Sequence, residues 1–242
     1  MTQTRPRGLD GRRAQQLLSK AKAHRSVAER VGSFSKLLLG CPYEANPLGS
    51  SPETPEIFTA SLTGFDCVTY VETVLALSLA ASPDEFADWL RRIRYEDGRV
   101  EWARRNHYMT GWIRSNARIG VVRRVAAGVR ATSKERLLDA VPGLRPTRAR
   151  FSCVPKREMR RLERHFKTGD LIFFASTRAH LDVFHCGILI REGDRFRIRH
   201  AACSRQSVVE QDLSDFLGAN RMAGVLVVRP VGKTEKTGEG RP

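Results

Sequence analysis

The chain lacks any apolar run near the roughly 18 residues that a membrane-crossing helix needs. Its longest candidate, over residues 71–81, is broken by Glu72, Thr73 and Ser78. Cysteine is also sparse: five in 242 residues, an odd number, excludes a disulfide-knit miniprotein. Nor does the sequence open on a secretory leader, since MTQTRPRGLDGRRAQQ is basic and polar and no apolar stretch of the required length follows it. Residence in the cytoplasm, another export route, or a sequence given without its leader all fit that start. Lysine is scarce too, with only 8 against 34 arginines. The net charge of +16 therefore rests on arginine spread from Arg5 to Arg241, which argues against one dedicated polyanion-binding block.

What is present suffices for one folded domain. Apolar residues make up 41% of the chain and aromatic ones 7%, enough for a sizeable core. The region 15–39 reads as one or two helices stopped by Gly40 and Pro42. A Pro-, Ser- and Gly-rich stretch follows and predicts a long irregular loop. DCVTYVETVLALSLA then has helical spacing, with Asp66 as N-cap and Pro83 closing the run. Pro83 opens a further helix with Phe86, Trp89, Leu90 and Ile93 on its apolar stripe. Helical pieces are expected over 107–115, 133–139 and 156–165. From Gly169 the period becomes that of strands, through DLIFFAS, VFHCGILIRE, RFRIRHAA and VLVVRP. Helices first and strands last predict an α+β fold, with helices packed on one side of a mainly antiparallel sheet. We expect a single catalytic domain over 1–230, a helical insertion at about 84–165 and a disordered tail over 231–242.

Cys67 lies at the start of the predicted apolar helix, where the helix dipole and free backbone N–H groups favour thiolate. A buried structural cysteine is an equal alternative from position alone. A nucleophile needs a base, and the strand register supplies candidates. If Gly193 and Asp194 form a two-residue turn, Glu192 pairs with Arg195 and Gly187 lies opposite His200. His185 and His200 then become diagonal neighbours on one face, and a slip of one residue would separate them. The chemistry this suggests is a cysteine nucleophile, His185 as general base and His200 as the residue that orients it.

Zinc is a competitor, because His185, Cys186, His200 and Cys203 fall on neighbouring strands. Adjacent strand residues point to opposite faces, however, and the chain has no paired CxxC knuckles. A basic nucleic-acid-binding protein is a second competitor, from the charge and the clusters RRIR, RRLER and RFRIR; no aromatic signature accompanies them.

The segments LLGCPYEANPLG, GFDCVTYVE, TGDLIFF, FHCGILI and FRIRHAA, in that order, resemble the NlpC-type cell-wall cysteine hydrolases, a papain-like superfamily. HYMTGWI and VPKREMRRLERHFKTGD look like one branch of it, long catalogued as a domain of unknown function and associated with N-acetylmuramoyl-L-alanine amidase activity. The resemblance covers about residues 34–230. It implies a papain-like fold with Cys67, His185 and His200 as catalytic residues. It further implies Tyr43 beside the nucleophile, and His107, Tyr108 and Trp112 as a wall of the substrate groove. No metal or organic cofactor is implied. The partner would be peptidoglycan or a muropeptide, the location the cell envelope or periplasm with the cytoplasm as alternative, and the state a monomer; no nucleic acid is expected. Cleavage between N-acetylmuramic acid and L-alanine is the first expectation, and a γ-D-glutamyl-diamino acid endopeptidase the alternative. The chain departs from many superfamily members in having Val68 and Thr69 where Ser-Gly follows the cysteine. Gly111 stands where the branch leads one to expect an acidic residue.

Overall fold

The computed structural model describes residues 6–232 apart from 22, 25, 126 and 127. The expectation of a disordered tail falls mostly on residues 233–242, outside the described residues. Seven α-helices and eight strands occur among the described residues. After α1 (Gly11–Lys20) and α2 (Val27–Leu37), the irregular stretch leads to α3 (Cys67–Leu79) and α4 (Pro83–Arg94). Then come α5 (Met109–Arg118), β1 (Val122–Arg124), β2 (Thr132–Leu138), β3 (Thr147–Cys153) and α6 (Met159–Glu163). The remainder comprises β4 (Leu171–Ala175), β5 (Val183–Glu192), β6 (Arg195–Ala202), β7 (Ser207–Asp212), α7 (Leu213–Ala219) and β8 (Gly224–Pro230).

Six strands form one antiparallel sheet in the order β1-β8-β4-β5-β6-β7, while β2 and β3 pair separately as a hairpin. Residues of β4 are buried throughout, as expected for a strand covered on both faces. On one face, Leu171, Phe173, Cys186, Ile188 and Ala201 join the core built with α2, α3 and α4. On the other, Ile172, Phe174, Leu189 and Ile198 pack with Met159 and Leu162 of α6 and Leu213, Phe216 and Leu217 of α7. This corrects the one-sided helix layer read from the sequence: the alternation of strand side chains presents two apolar faces, and the two shortest helices cover the second.

α3 is the central helix because it is apolar nearly all round. Its N-terminus is closed by a capping box. Thr69 N donates to Asp66 Oδ1 at 2.7 Å and Asp66 N donates to Thr69 Oγ1 at 3.0 Å, an arrangement that stabilises a helix start by about 1 kcal/mol. Its last turn contains no basic residue, and Arg30 of α2 supplies one, donating to Leu77 O and Ser78 O at 3.0 and 2.8 Å. The one carboxylate in its middle, Glu72, is paired with Arg94 of α4 at 2.7 Å with both side chains 3% exposed. Trp112 of α5 donates to the other oxygen of Glu72 at 3.2 Å.

The expected helix over 133–139 is instead strand β2. Burial there alternates residue by residue and every residue from Thr132 to Leu138 pairs with β3. Lys134, Glu135, Arg136 and two leucines are good helix formers, but cross-strand pairing outweighs that preference, and Glu135 bridges Arg148 and Arg150 on the outer face. The insertion is thus mixed rather than helical.

Candidate active site

Three consecutive strands carry the polar centre. The β5–β6 ladder pairs Glu192 with Arg195 and Ile188 with Arg199, which is the register expected from a Gly193-Asp194 turn. Within it, His185 Nε2 and His200 Nδ1 are 2.7 Å apart. His200 Nε2 lies 3.1 Å from Oε1 of Gln211 on β7, so an imidazole–imidazole–amide row runs across the sheet. Gly187 makes the close strand approach possible: a Cβ there would sit 2.8 Å from Ile198 Cδ1 and 2.9 Å from Arg199 O.

Aromatic rings fix the imidazoles. His185 is stacked on Phe174 and Phe216, with centroids 6.2 and 5.4 Å away, and His200 meets Phe216 edge-on at 5.4 Å. His200 is 3% exposed. Burial, followed by the neighbouring His185 charge, pushes its pKa down to about 4, against a smaller opposing effect of Gln211. It is therefore neutral near pH 7.

Cys67 is the first residue of α3, and His185, at one end of this row, is its imidazole partner. A hydrogen bond from the Cys186 thiol, then the hydrogen bond and charge of His185, hold the Cys67 thiol well below its usual pKa despite burial. Cys186 is pushed the other way, because its proton serves Cys67 and because it is buried. Its Sγ also lies 3.2 Å from Cys67 O. Asp66, beside Cys67, is raised to about 6, first by burial and next by the Cys67 charge.

Tyr43 is brought to the same place by backbone. Glu44 N donates to Phe65 O at 2.9 Å, Phe65 N donates to Pro42 O at 3.1 Å, and Tyr43 N donates to Gln206 O at 3.0 Å. This strap joins the residues before Cys67 to the start of β7. The Tyr43 phenol is raised in pKa by burial and by the charges of Cys203, Cys67 and Asp66, and it remains a hydroxyl donor near the thiol.

The three insertion residues behave differently. Trp112 is 1% exposed, packs 5.5 Å from the Phe173 ring and donates to Glu72. Its assignment to the groove wall is corrected to a core role, because a side chain closed off on all sides offers a substrate no surface. His107 and Tyr108 are half-buried. The His107 ring lies 4.4 Å from that of Trp102 and bonds Trp102 O at 2.8 Å, while the Tyr108 hydroxyl accepts from Val141 N at 3.1 Å. One link ties this region to the imidazoles: Asp182, fully buried just before β5, accepts from Thr110 N and Oγ1, each at 2.7 Å.

Sequence reasoning missed Gln211, Cys186 and Cys203 as members of this environment. Gln211 needed strand β7 to be seen, while Cys186 and Cys203 were considered only as metal ligands. The structure separates Cys186 from His185 across the sheet, His185 lying between Phe174 and Phe216 and Cys186 in the core with α3.

A thiol at a helix start beside a hydrogen-bonded pair of imidazoles, on an α+β scaffold, is the arrangement this site presents. Family comparison then gives the particular group. A profile of the AmiA-like, N-acetylmuramoyl-L-alanine amidase-like family matches residues 33–225, and the chain belongs to that family. A solved N-acetylmuramoyl-L-alanine amidase from Bacteroides uniformis is 25% identical, with a TM-score of 0.76 over 85% of this chain and 99% of the other. A Legionella pneumophila protein shares the fold, with a TM-score of 0.78 at 20% identity over 91% of this chain and 94% of that one. No curated protein matches. No helix among the described residues is long and apolar enough to cross a membrane.

Proposed function

We propose that the chain is a cysteine amidase of papain-like, NlpC-type ancestry that cleaves the amide between N-acetylmuramic acid and L-alanine in peptidoglycan or muropeptides. The observation that carries the reading is the convergence of Cys67 with the bonded pair His185 and His200. Family membership and the name of the Bacteroides uniformis structure supply the substrate class.

The Cys67 thiolate attacks the lactyl carbonyl carbon, forming a C–S bond while the C=O electron pair moves to oxygen. Cys67 and Val68 occupy the first two positions of α3, where backbone N–H groups have no intrahelical acceptor, and with the Tyr43 hydroxyl they serve the oxyanion. The imidazolium of His185 gives its proton to the leaving amine of L-alanine as the C–N bond breaks, which leaves an acyl-enzyme. His185 then takes a proton from water, hydroxide attacks the thioester, and the thiolate departs. His200 holds the His185 ring throughout. Cys186, as a protonated thiol, donates toward the sulfur while it is charged. His107 and Tyr108, held near the strand of His185 through Thr110 and Asp182, form one wall of the groove. Catalysis is confined to one domain over residues 1–230, acting as a monomer on cell-envelope material.

The test is incubation of purified protein with defined muropeptides and mass spectrometry of the products. Release of free peptide beginning at L-alanine is expected; fragments cut at the γ-D-glutamyl bond would make the protein an endopeptidase instead. Cys67→Ala and His185→Ala should each abolish turnover, and His200→Ala should leave a residue of activity. Undiminished cleavage by Cys67→Ala would exclude the mechanism.

A further inference from the structure

Gln211 lies two residue pairs along the β6–β7 ladder from His200: Ile198 pairs with Gln211 and His200 with Val209. His200 and Gln211 therefore share a face as diagonal neighbours, and the amide oxygen points at the far nitrogen of the His200 ring. An amide oxygen only accepts, so His200 Nε2 carries the hydrogen. A neutral ring has one N–H, which leaves His200 Nδ1 bare and able only to accept. The hydrogen in the 2.7 Å contact then belongs to His185 Nε2, and the bare nitrogen of neutral His185 is Nδ1. With Nε2 engaged by His200, Nδ1 is the nitrogen left to face the thiol.

We infer that Gln211 is a positioning residue, which sets the tautomer of His200 and through it the tautomer of His185, so that His185 presents a proton acceptor to Cys67. The inference rests on the proposed thiol–imidazole chemistry and extends it by one side chain. A neutral amide suits the task better than a carboxylate. A carboxylate at position 211 would favour a second proton on His200, placed on Nδ1. His185 Nε2 would then have to accept, and its own hydrogen would move to Nδ1, the side needed by the thiol. Burial of His200, which holds its pKa at about 4, works in the same direction as the amide by keeping that second proton off.

The test uses the full chain and reads Cys67 directly, by site-resolved mass spectrometry of its alkylation with iodoacetamide from pH 4 to 9, beside muropeptide turnover. Gln211→Met keeps length and volume but removes the acceptor. It should slow Cys67 alkylation near neutral pH by about tenfold to 100-fold, the range known for losing the outer hydrogen-bond partner of a metal-binding histidine, without lowering the melting temperature comparably. Gln211→Glu restores an acceptor, so its alkylation at pH 8 should approach that of the unaltered protein, while its acid limb moves upward by about one pH unit or more as His200 gains affinity for a proton. Three results would each overturn the inference: a Met variant that matches the unaltered protein across the range, a Glu profile that superimposes on it, or equal impairment of both variants at every pH. If muropeptides are not cleaved yet the two alkylation profiles move as described, the amidase reading falls and the role of Gln211 stands.

Discussion

The sheet with α3 and the insertion that follows α4 solve the problem of order in different ways. In the first, strands are packed on both faces and side chains at the site are held by rings, a short turn and a glycine that lets two strands close up. In the second, β2 and β3 pair only with each other, their outer face is charged, and Leu137 is 47% exposed. The junction between them is a small buried polar knot, Glu72 with Arg94 and Trp112, which joins α3 to α4 and α5. Side chains around the proposed site are thus held from several sides, and those on the outer face of the hairpin from fewer.

That contrast is sharpest at the knot. Glu72→Ala leaves Arg94 charged and enclosed, and should cost about 3–5 kcal/mol in denaturant unfolding. A loss under about 1 kcal/mol would mean that the two regions are joined by other contacts. The next effect is on pH. His200 has its folded pKa near 4 against about 6.5 in an unfolded chain, so between those values the unfolded state binds more protons and stability rises with pH. His200→Asn should remove up to roughly 3 kcal/mol of that rise between pH 4 and 6.5, seen as a flatter dependence of unfolding free energy on pH. Asp66 works against it: its raised pKa of about 6 makes stability fall with rising pH from about 4 to 6, so the slope of the unaltered protein is the difference of the two. A smaller cost, about 1–3 kcal/mol, is expected for Gly187→Ala, because the added methyl presses on Ile198 and on β6 backbone. Turnover should fall with it, since the same strands carry both imidazoles; a destabilised but fully active variant would show that the ring pair tolerates strand separation. Smallest of all, Glu135→Ala in the hairpin breaks two exposed ion pairs and should leave melting temperature and activity unchanged within error.

The same contrast explains what could be read from the sequence. The placement of His185 against His200 was legible because Gly193 and Asp194 mark a tight turn and a two-residue turn leaves one register. The start of α3 was legible from Asp66 followed by a long apolar run. Strand β7 was not, since SVVEQD follows a short 3-10 turn ending in the left-handed Gln206 and carries no turn dipeptide to announce it. Gln211 was lost with it. α7 is only seven residues long, too short for a helical period to declare itself, and Phe216 went unseen for that reason. Residues 133–139 misled because their partner strand lies beyond a loop, and local propensity has no access to it. Trp112 was assigned by resemblance to an open wall; only packing reveals that Glu72 and Phe173 enclose it.

Phe216 clamps both imidazoles from α7, an element that leaves the ribosome after every group it restrains. A nascent chain that has already made its thiol and both rings still lacks the second ring against His185 and the edge contact to His200. The clamp is thus among the last parts to be synthesised, and β8, which lies between β1 and β4 in the sheet, emerges later still.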